Sequence, residues 1–165
     1  MKNGKSVCMK CGSKCVYKGV RMETIYDFKS TIPFSLHDMR ICKIEVIDET
    51  IKLHFENGFV ETKEPYKQMD GQILIEGADF DFCEIQLLSK YGRLGKFRGE
   101  KMELTDFIKK YKEFSFEVVD EMYGYNQVYY SGYLSLPKKR WLREMQMSVY
   151  YTGNIIYVTE STYEG

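Results

Sequence analysis

The chain has 165 residues, enough for one domain plus a short tail and for a core burying roughly 70% of the unfolded surface without disulfides. Lys plus Arg and Asp plus Glu each total 24, and this formal neutrality excludes the strongly basic balance of a general nucleic-acid binder. Hydrophobic residues at 44% and aromatics at 15% exclude a wholly disordered chain, and no apolar run approaches the ~20 residues that cross a bilayer.

The chain opens on a basic stretch with no apolar segment of the signal-peptide kind, so a cytoplasmic address is expected. Three of the five cysteines, Cys8, Cys11 and Cys15, lie in it. Cys8-Met9-Lys10-Cys11-Gly12 resembles one knuckle of a zinc ribbon, in which two thiolates and a tight glycine turn hold half a tetrahedral site. A second Cys-x-x-Cys pair is missing, and only Cys15 with His37 offers itself as completion. Zinc is therefore the lesser reading, and no cofactor is expected.

Residues 18–22 read Lys-Gly-Val-Arg-Met. Codons AAA, GGA, GTG and AGA before ATG would spell a purine-rich AAAGGAG upstream of a methionine codon, as a bacterial ribosome-binding site does. Charge breaks at the same point. Residues 1–21 carry six basic residues and no acid, which leaves 18 basic against 24 acidic residues, or −6, for the remainder. The expectation is a basic leader over 1–21, with Met22 the native start, and a single domain over 22–165.

A single alanine, Ala78, against 14 Tyr and 10 Phe points to strands, because aromatic and β-branched residues suit a pleated, half-buried surface. From Ile41 the pattern has period 2. Cys42, Ile44 and Val46 alternate with Lys43, Glu45 and Ile47, and after an Asp48-Glu49 turn Ile51, Leu53 and Phe55 alternate with Lys52, His54 and Glu56. Asn57-Gly58 is a strong signal for a tight hairpin returning over residues 59–62. Strands are predicted over 72–76 and 82–88, with a loop over 91–99. Leu104, Phe107, Ile108 and Tyr111 follow helical spacing, so one helix is predicted over 104–112, with Thr105 as its N-cap. Strands return over 114–119, 128–136, 141–151 and 155–159, with a turn at 123–126. Short turns between consecutive strands mean an antiparallel arrangement. Eight or nine strands imply a curled sheet, sandwich or barrel.

Chemistry has few places to live. His37-Asp38 suits an acid–base pair or a metal half-site, and equally a backbone-bonded histidine beside a turn-capping aspartate. His54 falls on the polar face of its strand and reads as simply solvated. The run Glu76, Asp79, Asp81 and Glu84 lacks the intervals of a calcium loop and reads as a charged hairpin tip. No P-loop, nucleophile elbow or dinucleotide fingerprint occurs. Lys138, Lys139 and Arg140 form a basic tip beside Trp141. Tyr129, Ser131, Tyr133 and Ser135 share one strand face, next to Tyr123 and Tyr125 in the preceding turn. Rigid aromatics among small polar residues suit a binding surface, though a face packed beneath the helix would read the same way.

Phe34-Ser35-Leu36-His37-Asp38, the charged hairpin and Glu56-Asn57-Gly58-Phe59 together resemble the start of uncharacterised small β-rich proteins of Gram-positive bacteria. Some similar families look like immunity proteins, which bind and neutralise a partner toxin. The resemblance implies a non-catalytic protein binder, and the −6 balance of residues 22–165 points to an acidic surface that meets a basic partner. Its candidate contacts are Tyr125, Tyr129, Tyr133, Trp141, His37 and Asp38, and neither nucleic acid nor membrane is expected as a partner. A small-ligand binder lined by tyrosines, and an enzyme or metal site built on His37 and Asp38, are the alternatives.

Overall fold

The computed structural model describes residues 20–88 and 98–161. The first half contains β1 (Val20–Ile25), β2 (Phe34–Ser35), β3 (Arg40–Ile47), β4 (Thr50–Phe55), β5 (Phe59–Glu61) and β6 (Gln68–Ile75). A 3₁₀ turn over Phe80–Phe82 leads to β7 (Glu84–Leu88), β8 (Gly99–Glu103) and the helix α1 (Leu104–Lys110). The chain continues as β9 (Ser115–Gly124), β10 (Gln127–Ser135), β11 (Arg143–Tyr150) and β12 (Ile155–Ser161). No described helix is long and apolar enough to cross a membrane.

The strands form one antiparallel sheet in the order β1-β12-β6-β4-β3-β9-β10-β11-β7-β8, with β2 and β5 attached beside β6. Its first and last strands do not pair, so the sheet is curled and open, not a closed barrel or two separate sheets. β3 meets β9 only at Arg40↔Glu117 and Ile41↔Phe116. Two five-stranded halves therefore share a narrow seam. They face each other across one core, as the 2.8 Å contact between the hydroxyls of Tyr123 on β9 and Tyr157 on β12 shows.

Alternation builds this core. Ile51, Leu53 and Phe55 on β4, Ile85 and Leu87 on β7, and Met145, Met147 and Val149 on β11 all point inward and are buried. Phe34, Phe59 and Tyr157 pack in tilted and edge-to-face pairs with centroids 4.8–5.5 Å apart. Leu104 and Phe107 of α1 are buried, with Ile108 and Tyr111 packed against the core, as the helical stripe requires.

Several expectations are corrected. Three strands, β1, β2 and β8, add to the nine read from sequence; Gly99 opens β8, and residues 91–97 of the expected loop lie outside the described residues. β4 and β5 do not pair across Asn57-Gly58; β5 pairs with β2 and β6. Gly58 has φ 67, but its role is close approach, since a Cβ there would sit 1.8 Å from the Met69 carbonyl oxygen. Cys42 is exposed because the β3–β4 register slips between Ile41 and Lys43, which makes Cys42 the extra residue of a bulge. Val46 and Ile47 are likewise exposed. The helix stops at Lys110, and Glu103, not Thr105, precedes its first turn, with no side-chain cap. Residues 82 and 83 belong to the 3₁₀ turn and its cap, Tyr123 lies in β9, and Trp141 precedes β11.

Residues 1–19, including Cys8, Cys11 and Cys15, lie outside the described residues, so the zinc knuckle and most of the basic leader fall there. β1 runs through Met22, which pairs with Thr159, and its first two residues pair with Ser161 and Glu160.

Candidate functional site

The register of β9, β10 and β11 decides what their outward face presents. Side chains opposite each other on neighbouring strands share a face. Tyr133 has Glu117 on one side and Glu144 on the other. The next row holds Asp120, Ser131 and Gln146, and the one after holds Met122, Tyr129 and Ser148. The alternation predicted for Tyr129, Ser131, Tyr133 and Ser135 is therefore present, and it turns these residues away from the core; α1 packs instead on β7 and β8. Tyr133 is exposed, whereas Tyr129 is half-buried and its phenol is pushed up by burial and then by Asp120.

At the end of this face the chain between β10 and β11 displays Trp141 and Leu142, each more than 60% exposed. Leu142 and Tyr133 line a recess of about 300 Å³ together with Arg40, Glu56, Glu117 and two serines, Ser115 and Ser135. Arg40 is spoken for: its Nε and Nη2 both donate to Glu117, at 3.1 and 2.9 Å. Glu56, Asp120 and Glu144 form no ion pair among the described residues, so carboxylates without a salt-bridge partner lie near Tyr133. Lys138, Lys139 and Arg140 stand on the adjoining turn, where Lys138 adopts φ 62.

The other predicted residues are dispersed. Tyr125 sits at the opposite end of β10, eight residues or about 27 Å of extended chain from Tyr133, and its ring meets Phe28 edge-on at 6.0 Å. His37 and Asp38 occupy the turn after β2, both exposed, with Nδ1 and Oδ2 3.1 Å apart and Asp38 at φ 63. His54 is not simply solvated: its Nε2 lies 2.6 Å from Glu45, and bonds from Lys43 and His54 hold the Glu45 carboxyl down, at about 2. The carboxylates of the acidic run act separately. Asp79 accepts from the Asp81 amide, Glu76 accepts from the Asn154 side chain, and Glu84 pairs with Lys101. Cys83 is buried, its thiol raised by burial and donating to the Asp79 carbonyl.

Sequence reasoning missed a polar network inside the sheet. In β9 the register shifts so that Ser131 faces Asp120 while Gly132 faces Val118, which leaves Val119 as an extra residue. The inward set changes there from Phe116 and Val118 to Glu121 and Tyr123. Glycine at 132 permits the kink, because a Cβ would lie 1.9 Å from the Glu117 carbonyl oxygen. Glu121 accepts from the Leu36 amide at 2.9 Å and from the Tyr123 hydroxyl at 2.8 Å, and Ser35 also bonds to it. Burial nevertheless raises its carboxyl above the ordinary value, with His37 exerting a small opposite pull. Tyr123 and Tyr157 are bonded to each other, while the fully buried Tyr130 hydroxyl meets no partner at hydrogen-bond geometry among the described residues and feels only the neighbouring Tyr123 hydroxyl. The network ties β2 to β9 and β9 to β12. A break in period 2 is its only signal, and Asp120-Glu121 within an otherwise alternating strand is where that break can be sought.

Compared with known protein families, with curated proteins and with solved structures, the chain matches none.

Proposed function

We propose that the protein acts without catalysis, as an immunity-type inhibitor that binds a partner protein through the outward face of β9, β10 and β11. The observation that carries this reading is Tyr133 standing between Glu117 and Glu144, with Trp141 and Leu142 exposed beside it. Aromatic rings supply large contact area at low entropic cost, and a tyrosine beside Glu144, which forms no ion pair among the described residues while Arg40 holds Glu117, receives an arginine or lysine through its ring face and that carboxylate together. A basic segment on the partner fits such a face. The apolar core supports this reading over a ligand carried inside the sheet: Ile51, Leu53, Ile73, Phe107, Phe116 and Met147 lie there at zero exposure. The exposure of the His37–Asp38 pair supports it over acid–base chemistry, which gains from exclusion of water.

Affinity capture tests the proposal. The intact chain and its Tyr133→Ala/Trp141→Ala variant serve as parallel baits, at low and high salt. The reading expects a protein retained by the wild type, lost by the variant and released by salt. A protein retained equally by both baits, or a copurifying small molecule with no protein, contradicts it.

A further inference from the structure

β9 begins at Ser115, and the chain before it, from Tyr111 to Phe114, leaves the sheet to join α1. Pairing between β3 and β9 therefore ends at Ile41, and residues 43–47 of β3 bond on one side to β4 but have no strand on the other among the described residues. A groove of about 350 Å³ runs along this free edge. One wall is the edge itself, with Ile44 and Val46; the other is Ile108, Tyr111 and Phe114 from α1 and the connection after it. An unpaired row of N–H and C=O groups beside an apolar trough is the arrangement that accepts an added strand.

The occupant follows from the walls and the charges. α1 and the connection after it stand opposite the β3 edge, whereas edge-to-edge pairing with a second copy needs that side open, which argues for a single extended segment. Of the charged groups at the groove, Glu45 is engaged by both Lys43 and His54, while Lys112 has no acidic partner among the described residues. We propose that the free edge of β3 binds an extended peptide segment of another protein by β-strand addition, with alternate apolar side chains in the trough and a carboxylate against Lys112. This site does not depend on the outward face of β9–β11.

A random octapeptide display library, selected on the intact chain and counter-selected on the Val46→Lys variant, tests it. Val46 is partly exposed, so the variant keeps the fold, which circular dichroism verifies. The expected outcome is a family of peptides with apolar residues at alternate positions and at least one Asp or Glu. Their amide cross-peak shifts in the intact chain should cluster at residues 43–47 and 108–114. Binding should weaken at least tenfold in both Val46→Lys and Lys112→Glu. Absence of any Val46-dependent peptide, recovery of basic peptides, affinity unchanged in Lys112→Glu, or a chain already dimeric through β3 would each overturn the proposal.

Discussion

Three tyrosines of the interior should respond to the same change with opposite signs. Replacing Tyr130 by Phe deletes a hydroxyl that is fully buried and unbonded among the described residues. A polar group held that way costs about 1–3 kcal/mol in desolvation, so Tyr130→Phe is expected to raise stability by about 1–2 kcal/mol. Tyr123→Phe removes the donor to Glu121 and strands the Tyr157 hydroxyl, both at 2.8 Å. Hydrogen bonds to charged groups are worth about 1.5–3 kcal/mol, so a loss of about 2–3 kcal/mol is expected there. Tyr157→Phe removes only the hydroxyl pair and should cost about 1 kcal/mol. Urea unfolding at pH 7 measures all three, with constant slopes marking an unchanged unfolded state. In a chain this long each kcal/mol moves the melting temperature by about 2–4 °C. If Tyr130→Phe destabilises by 1 kcal/mol or more, the hydroxyl is satisfied, by Tyr123 or by an internal water, and the described network is incomplete.

Three further outcomes follow from the same geometry. Because burial raises the Glu121 carboxyl, folding takes up a proton there; its stabilising contribution is full below the unfolded value near ~4.3 and is lost as pH rises through the folded one. Wild type should therefore lose stability relative to Glu121→Gln between about pH 4.5 and neutrality, as urea midpoints across that range will show; a wild type that gains instead would mean the hydrogen bonds dominate. Gly58→Ala, with φ 67 and a Cβ driven into Met69, should cost about 2–3 kcal/mol by chemical denaturation, and a loss below 1 kcal/mol would deny the close approach. With Cys8, Cys11 and Cys15 changed to Ser, a disulfide reagent should label the exposed Cys42 within minutes and the buried Cys83 only on unfolding; equal rates would place both thiols at the surface.

Period 2 made much of the sheet legible. Ile51, Leu53 and Phe55 are inward where alternation puts them, as are Val128, Tyr130 and Leu134. The 3.6-residue stripe of Leu104, Phe107 and Ile108 identified the helix, although its last turn ended early. Alternation failed where one strand carries an extra residue, at Cys42 and at Val119, because a bulge reverses every later side chain. The second slip concealed the Glu121–Tyr123–Tyr157 network. Asn57-Gly58 carried the composition of a two-residue turn, yet long-range pairing with β2 and β6 took β5 away from β4. Two-residue β2 is too short for any periodicity. Among the candidate contacts, Tyr129 and Tyr133 were legible as one face, whereas the flanking Glu117 and Glu144 depend on pairing register that local sequence does not encode.

Carboxyl and tyrosine footprinting of the intact chain, free and bound to the captured partner, tests the binding reading most directly. The account predicts that Glu117, Glu144, Tyr133 and Trp141 lose reactivity on binding, while Tyr125, Asp79 and Asp81 at the far end keep theirs. Protection of the far end with Tyr133 and Glu144 still reactive would contradict it.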